Sequence, residues 1–82
     1  MIDYSGIPSH MQEGMRLYIE KGIAPGSFGL AVLENNLVHA FLLADHINIE
    51  CMQAWVNFLY NELPTTCWGS IEKVQAWLGR FS

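Results

Sequence analysis

From Ser9 onward the apolar positions of the chain fall on a helical period. Met11, Met15, Tyr18 and Ile19 stand at i, i+4, i+7 and i+8 and form one stripe, while Gln12, Glu13, Arg16 and Glu20 fall on the opposite side. Ser9 as N-cap with Gln12 three residues on reads as a capping box that starts this first helix, and Gly22 after Lys21 supplies the left-handed residue that ends it. APGSF is then a turn, with Ser27 as the N-cap of a second helix carrying Phe28, Leu30, Ala31 and Leu33. Asparagine tolerates positive φ and also caps helices, so Asn35 is read as the stop of the second helix and Asn36 as the cap of a third, Leu37 to Ala44. A single kinked helix is the competing arrangement.

Asp45 is a natural cap for the longest helix, about residues 46–63, which Pro64 closes. Its polar residues His46, Glu50, Gln53, Asn57 and Asn61 recur at spacings of four, three, four and four, a narrow wet stripe. Met52, Trp55 and Leu59 lie opposite that stripe, flanked by Cys51 and Phe58 on one side and by Val56 and Tyr60 on the other, so this is expected to be the central helix. Ser70 caps a last helix with Val74, Trp77 and Leu78 inward and Phe81 at its end. No alternating strand pattern occurs. The chain therefore predicts an all-α class: one small domain over residues 1–82, a compact bundle of four to five short helices. The expected core comprises Met15, Tyr18, Phe41, Met52, Trp55, Leu59, Trp68 and Trp77.

Composition changes this picture at one place. Of 82 residues 51% are hydrophobic and only 15% charged, so the domain has to bury its apolar surface or share it with a partner. The third helix is apolar on all sides: Leu37, Ala40, Phe41 and Ala44 make one face, yet the other carries Val38 and Leu42. With the enclosed position already taken by the fourth helix, Val38, Leu42 and Leu43 become candidate contacts for a second chain, which includes a second copy of this one. The alternative is a third helix sandwiched within the core. Gly14, mid-helix at a cost of about 1 kcal/mol relative to alanine, is a candidate point of close helix approach, with a tolerated surface glycine as the alternative.

Net charge is −4, and the four cations Arg16, Lys21, Lys73 and Arg80 are scattered, which makes direct nucleic-acid binding improbable. LVHAFLLA is far shorter than the roughly 20 apolar residues of a membrane span. MIDYSGIPSH has no basic or apolar leader region, so a cytoplasmic protein with no membrane association is expected, and with it free thiols at Cys51 and Cys67.

Candidate chemistry centres on FLYNELPTTCWGS. Cys67 precedes a helix start, as a reactive thiol would, but no histidine lies near it and Trp68 beside it suits a core plug, so a packed connection is the preferred reading. His46 and Glu50, one turn apart, could join His39 or Cys51 around a metal, although neither C-x-x-C nor H-E-x-x-H is present. A hydrolase or thiol enzyme would need His39, His46 or Cys67 to converge. No phosphate-cradling loop or nucleophile constellation has local support, so neither catalysis nor a cofactor or metal is expected.

Two ordered motifs remain. IPSHMQEGMRLYIEKGIAPGSFGLAVLENNLVHAF and FLYNELPTTCWGSIEKVQAW resemble a group of small phage and prophage proteins, over about residues 7 to 77. Members of that group resemble IPxHMxxGMxxYIExGIxPGSFxxAVLxNDLxxAF and FLYNExPxxCWGSxEKVxxW, and carry more charge around the third helix, where this chain has Asn36, Val38, Leu42 and Leu43. The resemblance implies a small accessory protein made in the cytoplasm of a bacterial host, and brings no catalytic residues. It suggests an interaction module that binds a host protein, in its sharpest form an inhibitor of an antiphage defence such as CRISPR interference. The alternative is a regulatory or replication accessory protein that contacts nucleic acid.

Overall fold

The computed structural model describes residues 1–81. It is all-α: α1 (Ser9–Lys21), α2 (Ser27–Leu33), α3 (Leu37–Leu43), α4 (His46–Glu50), α5 (Met52–Glu62) and α6 (Ile71–Gly79), with no strand among the described residues. Most boundaries sit where capping chemistry puts them. Gly22 adopts φ 67° and ends α1, and its N–H donates to the Tyr18 carbonyl. Asn35 takes φ 61° between α2 and α3, so these are two helices and not one kinked rod. Asn36, Asp45 and Ser70 each accept a backbone N–H, from His39, Asn48 and Lys73, and open α3, α4 and α6.

Three expectations about helix ends are corrected. The Ser9–Gln12 capping box does not form: α1 begins one residue earlier, with Pro8 at the N-cap position and no side-chain cap. Gln12 instead donates its amide to the Ile7 carbonyl at 3.0 Å, tying the N-terminal segment to the first turn. In α2 the N-cap is Gly26, and Ser27 is the first helical residue. The long helix over 46–63 is broken at Cys51, where φ −110° and ψ 18° leave the helical region, which gives six helices in place of four or five.

A buried hydrogen bond spans the break at Cys51. Asn48, one of the few polar side chains without access to water, is 2% exposed, and its Oδ1 accepts the indole N–H of Trp55 at 3.0 Å. Trp55, 1% exposed, meets Phe28 of α2 edge-on at 5.4 Å between ring centroids and Phe58 at 6.1 Å. Tyr4 stacks on Phe58 at 5.7 Å, so the N-terminal segment closes over the same cluster, and the backbone N–H of Asp3 donates to Glu62.

A second knot joins α1, α6 and the loop between α5 and α6. Tyr18 is fully buried; its hydroxyl donates to the Cys67 carbonyl at 2.7 Å, and its own carbonyl accepts the Trp77 indole N–H at 3.0 Å. Gly69 N–H donates to the Leu33 carbonyl at 2.7 Å and clips the same loop to the end of α2. The expected core residues Met15, Tyr18, Trp55, Leu59 and Trp77 are buried, whereas Met52 and Trp68 are half-buried at its edge. Phe41 is not a core residue. It is 44% exposed, because α3 lies against α2 through Ala40 and has no element on its outer side.

Removing the amide acceptor of the Trp55 indole is expected to be costly. Asn48→Ala should lower unfolding free energy in urea by about 2–3 kcal/mol, since it strands a buried N–H and leaves a void. Trp68 Nε1 is shut from solvent and has no hydrogen-bond partner, so Trp68→Phe should cost less than Trp55→Phe or Trp77→Phe.

Candidate functional site

The surface that stands out chemically is the outer side of α3 together with the adjacent side of α5. Ala40 marks the buried direction of α3; at 100° per residue Val38 and Leu42, one turn apart, point away from it, with Leu37, Phe41 and Leu43 on the flanks. All five are exposed. On α5 the buried face runs through Trp55, Phe58 and Leu59, which leaves Val56 and Tyr60 in water one turn apart. Those two were expected to flank the core. The broken helix is not central but covers one side of the core, so only its inner face meets other elements.

A cleft lies between the two helices, and Leu37 and Val56 of these sets reach it. It runs between α3 and α5, is floored by Ala40, Trp55 and Leu59, is rimmed by Leu37, Met52 and Val56, and holds about 70 Å³. That is well under the roughly 300 Å³ at which small-molecule sites begin, and it suits an inserted apolar side chain. Ile47 and Ile49, also exposed, extend the apolar character along α4 on either side of the buried Asn48. The seven side chains of α3 and α5 are 44–80% exposed.

Charge is sparse on α3 and α5 themselves, although Glu34 and Glu72 line a depression beside Leu37 and Val38. Between Asn35 and Asn61 the only acidic residues are Asp45 and Glu50, and no lysine or arginine occurs. Asp45 accepts from the Asn48 backbone N–H and lies 2.8 Å from His10 Nε2; the backbone bond first, and the histidine second, hold its carboxyl below the usual range. Glu50 lies 3.7 Å from His46 Nε2. Asp45 and His46 stand at the α3–α4 corner, Glu50 at the end of α4, and the faces of α3 and α5 themselves carry no formal charge.

Of the residues expected at an interface, Val38, Leu42 and Leu43 are all exposed on α3, Leu43 on its flank. Gly14 does not belong with them. A Cβ built there meets nothing within 4 Å, so no helix crosses it closely and its expected role is corrected. The close approach is at Gly29 instead, where a Cβ would come within 3.0 Å of Pro25 and 3.1 Å of the Met15 methyl. Ile47, Ile49, Val56 and Tyr60 were missed as exposed residues because a helical period alone does not say which faces have neighbours.

The chemistry proposed for Cys67, the histidines and a metal finds these placements. Cys67 is fully buried, its thiol donates to the Pro64 carbonyl at 3.2 Å, and burial pushes it up to about 11, so it is a protonated plug and not a nucleophile. Trp68 beside it is half-buried. His39 and His46 are exposed, on α3 and α4. Among the described residues no group of three or more His, Cys, Asp or Glu could hold a metal ion. No helix is long and apolar enough to cross a membrane. Two of the four cations are engaged: Arg16 is gripped by Glu13 at 2.6 Å and Glu20 at 3.3 Å, and the Arg80 guanidinium lies 4.4 Å over the Trp77 ring. With this geometry, no protein-family model, no curated protein and no solved structure matches the chain.

Two outcomes follow. Gly14→Ala should raise stability by about 0.5–1 kcal/mol through helix propensity, while Gly29→Ala should lower it, both read from urea melts. In the native protein the more accessible Cys51 should react with a thiol reagent at neutral pH well before Cys67. The raised Cys67 value also carries a sign: the folded state holds that proton more tightly, so its contribution to stability is intact below the ordinary thiol range. It is lost as pH climbs toward about 11, and Cys67→Ala should flatten that alkaline decline.

Proposed function

We propose that this is a phage- or prophage-encoded accessory protein that acts by binding a host protein and performs no catalysis of its own. Its sharpest form is an inhibitor of an antiphage defence, CRISPR interference among them, working in the host cytoplasm. The observation that carries the reading is the uncharged apolar face of α3 and α5, which water disfavours and protein contact stabilises. The motif resemblance to small phage proteins supplies the biological setting, by analogy.

Other features agree with contact as the mode of action. Cys67 is buried and protonated, and the cleft between α3 and α5 is of side-chain size. The alternative of direct nucleic-acid contact has less behind it. Arg16 and Arg80 are occupied by carboxylates and an indole, and Lys21 and Lys73 lie on different helices, so the positive footprint a phosphate backbone requires does not assemble.

The test is capture from host lysate with tagged protein, identified by mass spectrometry, beside a Leu42→Asp control of equal helicity. One enriched host complex that depends on Leu42, with a defined stoichiometry when reconstituted from pure components, is the expected result. Retention of nucleic acid that falls steeply with salt, and no host protein, would replace the proposal with the nucleic-acid alternative.

A further inference from the structure

We propose that the partner covering the α3–α5 face in the free protein is a second copy of the same chain, packed about a twofold axis. The inference rests on reading that face as a protein-contact surface, and deepens it by naming an occupant. Three observations converge on a self-complementary contact.

The first is area. Seven large side chains, 44–80% exposed, present on the order of 700 Å² of surface, close to the roughly 800 Å² that each partner gives to a standard interface and beyond the usual patch on a monomer. A small chain with 5008 Å² of total surface does not ordinarily leave this fraction of it apolar and in one place.

The second is charge. Each copy carries −4, so two copies repel over most of their surfaces. In a twofold contact every group near the axis meets its own kind, and a charged face would oppose itself. The α3–α5 face is where like meets like at the least cost, since Leu37 to Leu43 and Met52 to Asn61 contain no acidic or basic residue apart from His39, and the carboxylates beside it, Glu34 and Glu72, stand at its Leu37–Val38 edge. A face chosen for a differently charged partner would be expected to carry complementary charge.

The third is shape. Val38 and Leu42 form a ridge one turn long, and the cleft between α3 and α5 is a groove of about 70 Å³ with an apolar floor. Ridge and groove occur on the same copy, as a twofold contact in which each ridge fills the other's groove requires. The Trp55 and Leu59 side chains at the floor are then covered without any change in the core.

Sedimentation equilibrium of the full chain tests this, at micromolar concentration and at low and high salt. The wild type is expected to be a dimer whose association strengthens with salt, because screening removes the mutual repulsion while the apolar contact remains. Leu42→Asp and, separately, Val56→Asp should weaken the dimer by about a hundredfold or more while far-ultraviolet circular dichroism and the thermal midpoint show a folded chain. If one variant fails to fold, the other still decides. A wild type that stays monomeric throughout, or a dimer that both folded variants retain, overturns the proposal. A monomeric wild type that nevertheless captures a host protein through Leu42 would leave the interaction reading standing and remove only the second copy.

Discussion

The hydrogen bond from the Trp55 indole to Asn48, buried within the aromatic cluster, is the contact on which the rest of this fold turns. It bridges the break at Cys51 and ties α4 to α5 through one buried bond. Phe28 and Phe58 press on the same indole, and Tyr4 closes over Phe58, so α2, α5 and the N-terminal segment are oriented by a single ring. The amide is what makes this arrangement specific. An apolar residue at 48 could fill the space but would not receive the indole N–H, and a buried donor without an acceptor costs about 1–3 kcal/mol. The Tyr18 knot serves the opposite end in the same way, with backbone carbonyls as acceptors.

That allocation of core explains the exposed face. With fewer than a hundred residues, only one small interior can be built, and here the rings of Tyr18, Phe28, Trp55, Phe58 and Trp77 occupy it. α3 reaches it only through Ala40, the smallest side chain on that helix, and the remaining Leu, Val and Phe residues stay outside. Their exposure is therefore a consequence of how the core is filled. What gives it functional weight is that α3 and α5 themselves carry no acidic or basic residue apart from His39 between Leu37 and Asn61 outside the α4 corner, which no requirement of the core explains.

Much of this was legible in the amino-acid order. The caps at Asn36, Asp45 and Ser70, the stop at Asn35 and the left-handed Gly22 are local chemistry, and local chemistry can be read without knowing what packs where. Apolar excess in the third helix pointed to Val38, Leu42 and Leu43, and the fold places them on the surface. Phe41, Asn48 and Gly14 were not legible. A period of 3.6 says that residues share a face, but whether that face has a neighbour depends on tertiary placement. Asn48 stands between two isoleucines and off the polar stripe, and the acceptor role of its amide exists only once the fold brings the Trp55 indole to it. Gly14 is a weakness in helix propensity with no partner to explain it.

The surface at α3 and α5 is thus where the structure has apolar area, neutrality and a groove in one place, and its coverage by protein is the central claim. The most direct measurement is a dilution series followed by amide chemical shifts and exchange of the backbone hydrogens, residue by residue. The account predicts that concentration-dependent changes concentrate at Leu37–Leu43 and at Val56 and Tyr60, while α1 and α6 remain constant. Changes centred on α1 or α6, or none at any concentration or with any bound protein, would contradict it.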